Sequence, residues 1–151
     1  MANKNNRCIC TNLRRSSGAV IEYYDRWFSE LGLTSAQYHL LLVLSQWGTI
    51  NATDWAKCVG LERSTVVRNI QGLSRRGWIE EGGAGRGKQY RMSEAGNEIL
   101  QKARKRWESA QDGMRDLLGD EDTDTLLRIA DKLQAWKLTG ASLILEKKQE
   151  N

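Results

Sequence analysis

Apolar residues in the first part of the chain recur on a helical period. Leu13, Val20, Tyr24, Trp27 and Leu31 are separated by seven, four, three and four positions. That spacing predicts one long amphipathic helix ending near Gly32. "TSAQ" at 34–37 has the form of a capping box, with the Thr34 hydroxyl accepting from the Gln37 amide and the Gln37 side chain reaching back. It opens a buried helix through "YHLLLVLSQW", stopped by Gly48. "NATD" at 51–54 opens a short helix, "WAKCV", that stops at Gly60. In "GLERSTVVRNIQGLSRRGW", residues 60–78, Val66, Ile70 and Leu73 fall at i, i+4 and i+7 and give one apolar face, with Gly77 as the stop. "WIEE" and "KQYRM" read as short strands around a glycine-rich connection, and Ser93 starts another helix. There Leu100, Ala103, Trp107, Ala110, Met114 and Leu117 alternate spacings of three and four, a heptad-like seam. Gly119 and Asp120 punctuate, and a final helix carries Leu126, Ile129, Leu133 and Trp136 on one face. Long helices at both ends leave apolar faces that a compact monomer of this size struggles to cover, so a homodimer is expected.

Composition narrows the function classes. A chain of 151 residues is most simply one domain, 1–151, able to bury a core without staples. The longest apolar run is "LLLVL" at 40–44, too short to span a bilayer, and the polar "MANKNNRCICTN" start argues against a secretory signal. No membrane partner is expected. Three cysteines make no disulfide framework, which points to a reducing, cytoplasmic location. The net charge is +4, and its position matters more than its size. Residues 61–92 hold seven Lys/Arg against three Glu, while the other residues hold sixteen charges of each sign. All of the excess therefore sits in one segment, the footprint of a polyanion-binding surface.

Two short helices around a glycine-containing turn, the second one basic, form a helix-turn-helix pattern. A helix laid in the DNA major groove needs short polar residues near its N-terminus and an arginine or amide that reaches base edges. Ser64 and Thr65 are short; Arg68 suits guanine, Asn69 suits adenine, and Arg63 lies near the helix N-terminus where phosphates meet the helix dipole. Arg75 and Arg76, at the C-terminal end, are assigned to helix stability.

"WAKCVGLERSTVVRNIQGLSRRGWIEE" and "GRGKQYRMSEAG" together resemble the winged helix-turn-helix core of the MarR (multiple antibiotic resistance regulator) family. Gly60, Leu61, Arg63, Ser64 and Thr65 match the opening of the family's recognition helix. Leu73, Arg76 and Gly77 match its close, and Arg86, Met92, Ser93 and Gly96 match the end of its wing. "CTNLRRSSGAVIEYYDRWFSELGLTSAQYHLLLVL" is similar to the family's N-terminal helices, so the resemblance covers most of the chain. It implies a mainly α fold with a small β-hairpin wing, and long N- and C-terminal dimerisation helices. Residues 35–96 would form the DNA-binding lobe, and 8–34 with 97–147 the dimerisation region. It further implies a repressor that binds double-stranded DNA at a pseudo-palindromic operator, released by a small aromatic effector or an oxidant, with no cofactor. Arg86 becomes the wing arginine. Gly85 stands where many family wings carry a bracing aspartate, so Lys88 is expected to share the role of Arg86.

"GGAGRGKQ" at 82–89 competes as a near P-loop, but Gln89 replaces the hydroxyl that would hold Mg²⁺, and a strand rather than a helix is expected after it. No catalytic triad or paired carboxylates are visible, so no enzyme is expected. Cys-x-Cys with one histidine is a weak metal signature, and no metal site is assigned. Cys8 and Cys10 lie near a helix start with Arg7, Arg14 and Arg15 close in sequence, which favours a reactive thiolate. A redox-sensing repressor using Cys8 or Cys10 is therefore one alternative. A winged-helix protein–protein module without DNA binding is another. Cys58 is expected to be an inert apolar position and His39 a packed or hydrogen-bonded one. By resemblance, Tyr24, Trp27, Tyr38 and Trp47 are the candidates for an aromatic-ligand pocket.

Overall fold

The computed structural model describes residues 8–82 and 87–139. Helix α1 (Ile9–Phe28) runs into a 3-10 turn (Ser29–Leu31), followed by α2 (Ser35–Trp47), β1 (Thr49–Asn51), α3 (Ala52–Val59) and α4 (Arg63–Arg75). The hairpin strands β2 (Ile79–Glu81) and β3 (Gln89–Met92) lead into α5 (Glu94–Leu118) and α6 (Asp120–Thr139). The chain divides into two compact units at Ala110/Gln111.

In the first unit, α2 is the central element. The predicted capping box forms in both directions, with Gln37 N donating to Thr34 Oγ1 and Thr34 N donating to Gln37 Oε1, both at 3.2 Å. The Asp25 carboxylate of α1 takes a further amide of the same turn, Ser35 N, at 2.6 Å. Leu40, Leu41 and Leu44 are fully buried, each contributing roughly 1.5–3 kcal/mol of apolar burial. Around them sit Phe28, Trp55, Val66 and Leu73, also fully buried. The Trp55 indole N–H has to find an acceptor inside this core, and it donates to the Leu40 carbonyl at 3.0 Å.

The sheet has the order β1-β3-β2, all antiparallel, with Ile50 opposite Tyr90 and Ile79 opposite Met92. The outer strand β1 is absent from the sequence reading. Its three residues are too few to display a period of two, and only pairing with β3 makes them a strand.

Helix α4 is tied down at its far end. The Ser93 hydroxyl donates to the Gly77 carbonyl at 2.6 Å and accepts from Gly96 N at 3.0 Å, while Ser93 N donates to the Trp78 carbonyl at 3.1 Å. Gly96, in the first turn of α5, lies so close to the Trp78 backbone that any Cβ there would collide with its carbonyl.

The heptad-like seam divides. Leu100, Ala103 and Ala110 are buried, whereas Trp107 is exposed. The Tyr23 hydroxyl of α1 donates to the Ala110 carbonyl at 3.2 Å. In the second unit, Leu117 of α5 is exposed, and none of the described residues of α6 is buried. Leu126, Ile129, Leu133 and Trp136 keep 42–46% of their surface. On α1, Ile9, Leu13, Val20 and Ile21 are likewise exposed.

The Gly96 contact leads to a stability prediction. Gly96→Ala should cost about 1–3 kcal/mol through overpacking, seen as a lower urea midpoint at unchanged m-value. An unchanged midpoint would show that the α4–α5 junction relaxes freely.

Candidate nucleic-acid interface

Helix α4 holds its position through Val66, Ile70 and Leu73, all buried as their spacing predicts. At 100° per residue, the side opposite this face carries Ser64, Arg68, Gln71 and Arg75, and all four are exposed. Their spacings of four, three and four make a continuous stripe roughly 16 Å long. The helix contains no acidic residue.

Beside the stripe lies an open cleft of about 910 Å³ between α4, the N-terminal end of α3 and the β2–β3 hairpin. Val67 and Ile70 contribute apolar lining; Arg63, Arg75 and Lys88 bring positive charge, and Asp54 and Glu81 negative charge. Arg63 is steadied by a bond from its Nε to Thr53 Oγ1 at 3.3 Å. Lys88 Nζ meets Glu81 Oε1 at 3.1 Å, and that hydrogen bond raises the lysine's pKa.

The sequence candidates separate on this frame. Ser64 and Arg68 stand on the exposed stripe, with Arg63 and Lys88 along the cleft. Thr65 and Asn69 flank it, half-buried, and the Asn69 amide donates back to the Thr65 carbonyl at 2.9 Å. Asn69 would have to leave that bond to present both of its polar atoms to a base. Arg86 lies outside the described residues. Gln71 and Arg75 are additions. The spacing 64, 68, 71, 75 points to them in the sequence, but the adjacency of Arg75 and Arg76 makes the two look like one unit. They are not one. The Arg76 guanidinium sits 4.9 Å over the Trp78 ring and packs against Gly32, whose φ of +68° and lack of a Cβ leave the space for it. Arg76 packs against the rest of the chain, as expected, and Arg75 is an exposed cation on the stripe.

Lys88 is followed directly by strand β3, so the near P-loop lacks the helix a phosphate cradle needs. Cys8 occupies the N-cap position of α1, exposed. Its thiol pKa is lowered chiefly by a hydrogen bond with the Thr11 side chain and then by the Thr11 amide. Arg7 falls outside the described residues. Cys10 is exposed. Cys58 is exposed as well, not an apolar packing position, because the core contacts of α3 are taken by Trp55, Ala56 and Val59. His39 is exposed on α2 rather than packed, since the neighbouring Tyr38 and Leu40 take the core side.

The four aromatic candidates occupy different surroundings. Tyr38 stacks on Phe28 at 4.9 Å in the core, and burial raises its hydroxyl pKa. Tyr24 meets Tyr23 edge-on at 5.5 Å and is likewise shifted up by burial. Trp27 lies 6.5 Å from the same Tyr23 ring, and Trp47 is 57% exposed.

Comparison with known proteins gives a consistent result. The family model of the MarR family matches residues 33–81. None of the curated proteins matches the chain. Among solved structures, the M. tuberculosis transcriptional regulator MosR in complex with DNA is 30% identical, covering 85% of this chain and 95% of its own with a TM-score of 0.72. The transcriptional repressor CouR bound to p-coumaroyl-CoA is 23% identical, covering 89% and 96% with a TM-score of 0.80. Bordetella bronchiseptica BpsR, described for regulation of its DNA binding by 6-hydroxynicotinic acid, is 17% identical, covering 86% and 96% with a TM-score of 0.79. The last two are similar in fold.

The split between the two arginines is measurable without DNA. Arg76→Ala should lower stability by about 1 kcal/mol through loss of the Trp78 and Gly32 contacts. Arg75→Ala should stay within about 0.5 kcal/mol of wild type. Equal effects in chemical denaturation would contradict the assignment.

Proposed function

The chain belongs to the MarR family of transcription regulators, and from that premise we propose that it is a homodimeric repressor that binds double-stranded DNA through α4 and the hairpin. The observation that carries this reading is the exposed stripe of Ser64, Arg68, Gln71 and Arg75, with Arg63 and Lys88 along the adjoining cleft. The stripe's two arginines have no carboxylate partner among the described residues, although acids are plentiful elsewhere in the chain. A surface meant only to be solvated gains nothing from keeping such charges unpaired on one helix. A surface that meets phosphates does, because each phosphate contact releases counterions. In this reading Ser64 and Arg68 read bases in the major groove, helped by Thr65, while Arg63, Arg75 and Lys88 meet phosphates. Asn69 joins once its back-bond opens, and Arg86 extends the contacts from the wing.

Residues 35–96 act as the DNA-binding lobe, with 8–34 and 97–147 as the dimerisation region. The second copy covers the apolar rows of α1 and α6 that a single chain leaves exposed. No described helix is long and apolar enough to cross a membrane, and a DNA partner places the protein in the cytoplasm. Release by a small aromatic effector is supported by the aromatic compounds named with CouR and BpsR. Tyr24, Trp27, Tyr38 and Trp47 are the proposed contacts. A second reading, release by an oxidant, is favoured by Cys8 alone, whose lowered thiol pKa raises the share of reactive thiolate near neutral pH.

A gel shift on the DNA flanking the protein's own gene tests the main proposal. Affinity should fall by orders of magnitude between about 50 and 200 mM salt. Arg68→Ala should lose about 1–3 kcal/mol of discrimination at one base position, while Arg75→Ala should weaken all sequences alike and lower the salt slope by about one. Wild-type-like binding by both variants would remove the stripe from the interface. For the second reading, iodoacetamide should label Cys8 faster than Cys58 near neutral pH, and peroxide should weaken DNA binding in wild type but not in Cys8→Ser. Equal peroxide sensitivity of the two proteins rules Cys8 out.

A further inference from the structure

Three basic side chains line the cleft beside α4, and they are not in the same state. Among the described residues, Arg63 and Arg75 have no carboxylate partner. Lys88 does: its Nζ lies 3.1 Å from Glu81 Oε1. Glu81 itself lines the cleft, fixed there by its place in β2 opposite Tyr90 of β3. The neighbouring hairpin pair, Glu80 with Arg91 at 2.9 Å, is set directly across the same two strands but lines no part of the cleft. One hairpin thus carries two exposed ion pairs, one facing the surface where phosphates would sit and one not.

We propose that Glu81 is a built-in brake on DNA affinity, its carboxylate competing with a backbone phosphate for Lys88 and keeping the hairpin side of the cleft partly neutralised. This rests on the DNA-binding reading above and names the residue that limits it. The side chains of Lys88 and Glu81 are 72% and 53% exposed, so water screens the pair and it is weak enough for a phosphate to replace. Once Lys88 turns to phosphate, the strand still holds the Glu81 carboxylate in the cleft, where it repels the same phosphate. A regulator that must leave its operator needs such a limit. A purely stabilising role for the pair predicts the opposite sign, because loss of a hairpin ion pair would loosen the hairpin and weaken binding.

The test uses the full chain and a labelled mixed-sequence duplex, read by fluorescence anisotropy at several salt concentrations. Glu81→Gln should bind about three- to tenfold tighter at the lowest salt, with the log–log salt slope steeper by about one. Glu81→Asp, which keeps the charge, and Glu80→Gln, which frees a cation outside the cleft, should each stay within about twofold of wild type. In a Lys88→Gln background the gain from Glu81→Gln should shrink to less than about twofold. Equal or weaker binding by Glu81→Gln, with a melting curve like that of wild type, would overturn the brake. A full gain in the Lys88→Gln background would overturn the competition for Lys88. Failure of the wild type to bind the duplex at any salt defeats the DNA-binding reading, and the brake with it.

Discussion

The structure depends on how the C-terminal end of α4 is held. Three residues, Arg76, Gly77 and Trp78, carry the chain out of the helix, and each is engaged by another element. Ser93 bonds the carbonyls of Gly77 and Trp78, Gly96 admits the Trp78 backbone against α5, and Arg76 lies between the Trp78 ring and Gly32 at the end of α1's extension. A helix anchored on one face by three apolar side chains can still roll or slide. Fixing its exit to the start of α5 and to the turn after α1 removes that freedom. The direction of the Ser64–Arg75 stripe is then set by backbone contacts, which vary less than side-chain packing does. A surface that must match a groove to within about half an ångström needs that kind of support.

The charges follow a pattern that pair energies alone do not explain. Almost every described ion pair is exposed on both sides and worth little to stability. What they do is sort the surface. Arg26 on α1, Arg91 on β3 and Arg106 and Arg115 on α5 have carboxylates within reach, whereas α4 itself contains no acidic residue from Arg63 to Arg75. Its arginines are spaced five and seven residues apart, which limits their mutual repulsion along the helix. The result is a row of positive charge, unpaired among the described residues, in a chain whose residues outside 61–92 carry equal numbers of each sign.

Most of this fold was legible because its signals are local. The Thr34–Gln37 capping box, the Val66/Ile70/Leu73 face and the two hairpin strands each need only a few neighbouring residues to be read, and each is present. The features that escaped depend on partners far along the chain. β1 exists only by pairing with β3. The parting of Arg75 from Arg76 depends on Gly32 and Trp78, and the surfaces given to Cys58 and His39 depend on which side of a short helix the core takes. The apolar spacing of α4 marks its buried face, and the polar spacing that places Gln71 and Arg75 on the opposite side is its complement. The Lys88–Glu81 bond needs the hairpin to be closed before the two residues meet.

One copy of α4 offers four stripe side chains, of which Arg68 suits a bidentate contact to guanine and Gln71 one to adenine. At about 1–3 kcal/mol for each such contact, a single helix reaches only the lower part of the roughly 4–10 kcal/mol that separates specific from non-specific sites. Joining two copies makes the second binding event intramolecular, so modest half-site energies combine into useful selectivity. The exposed apolar rows on α1 and α6 and the short reading stripe on α4 therefore make complementary demands. In the proposed homodimer the rows leave water against a second chain, and a second stripe supplies the selectivity that one stripe lacks. The proposed brake at Glu81 fits the same logic: when two copies bind together any per-copy affinity is compounded, and so is a small electrostatic penalty in each hairpin.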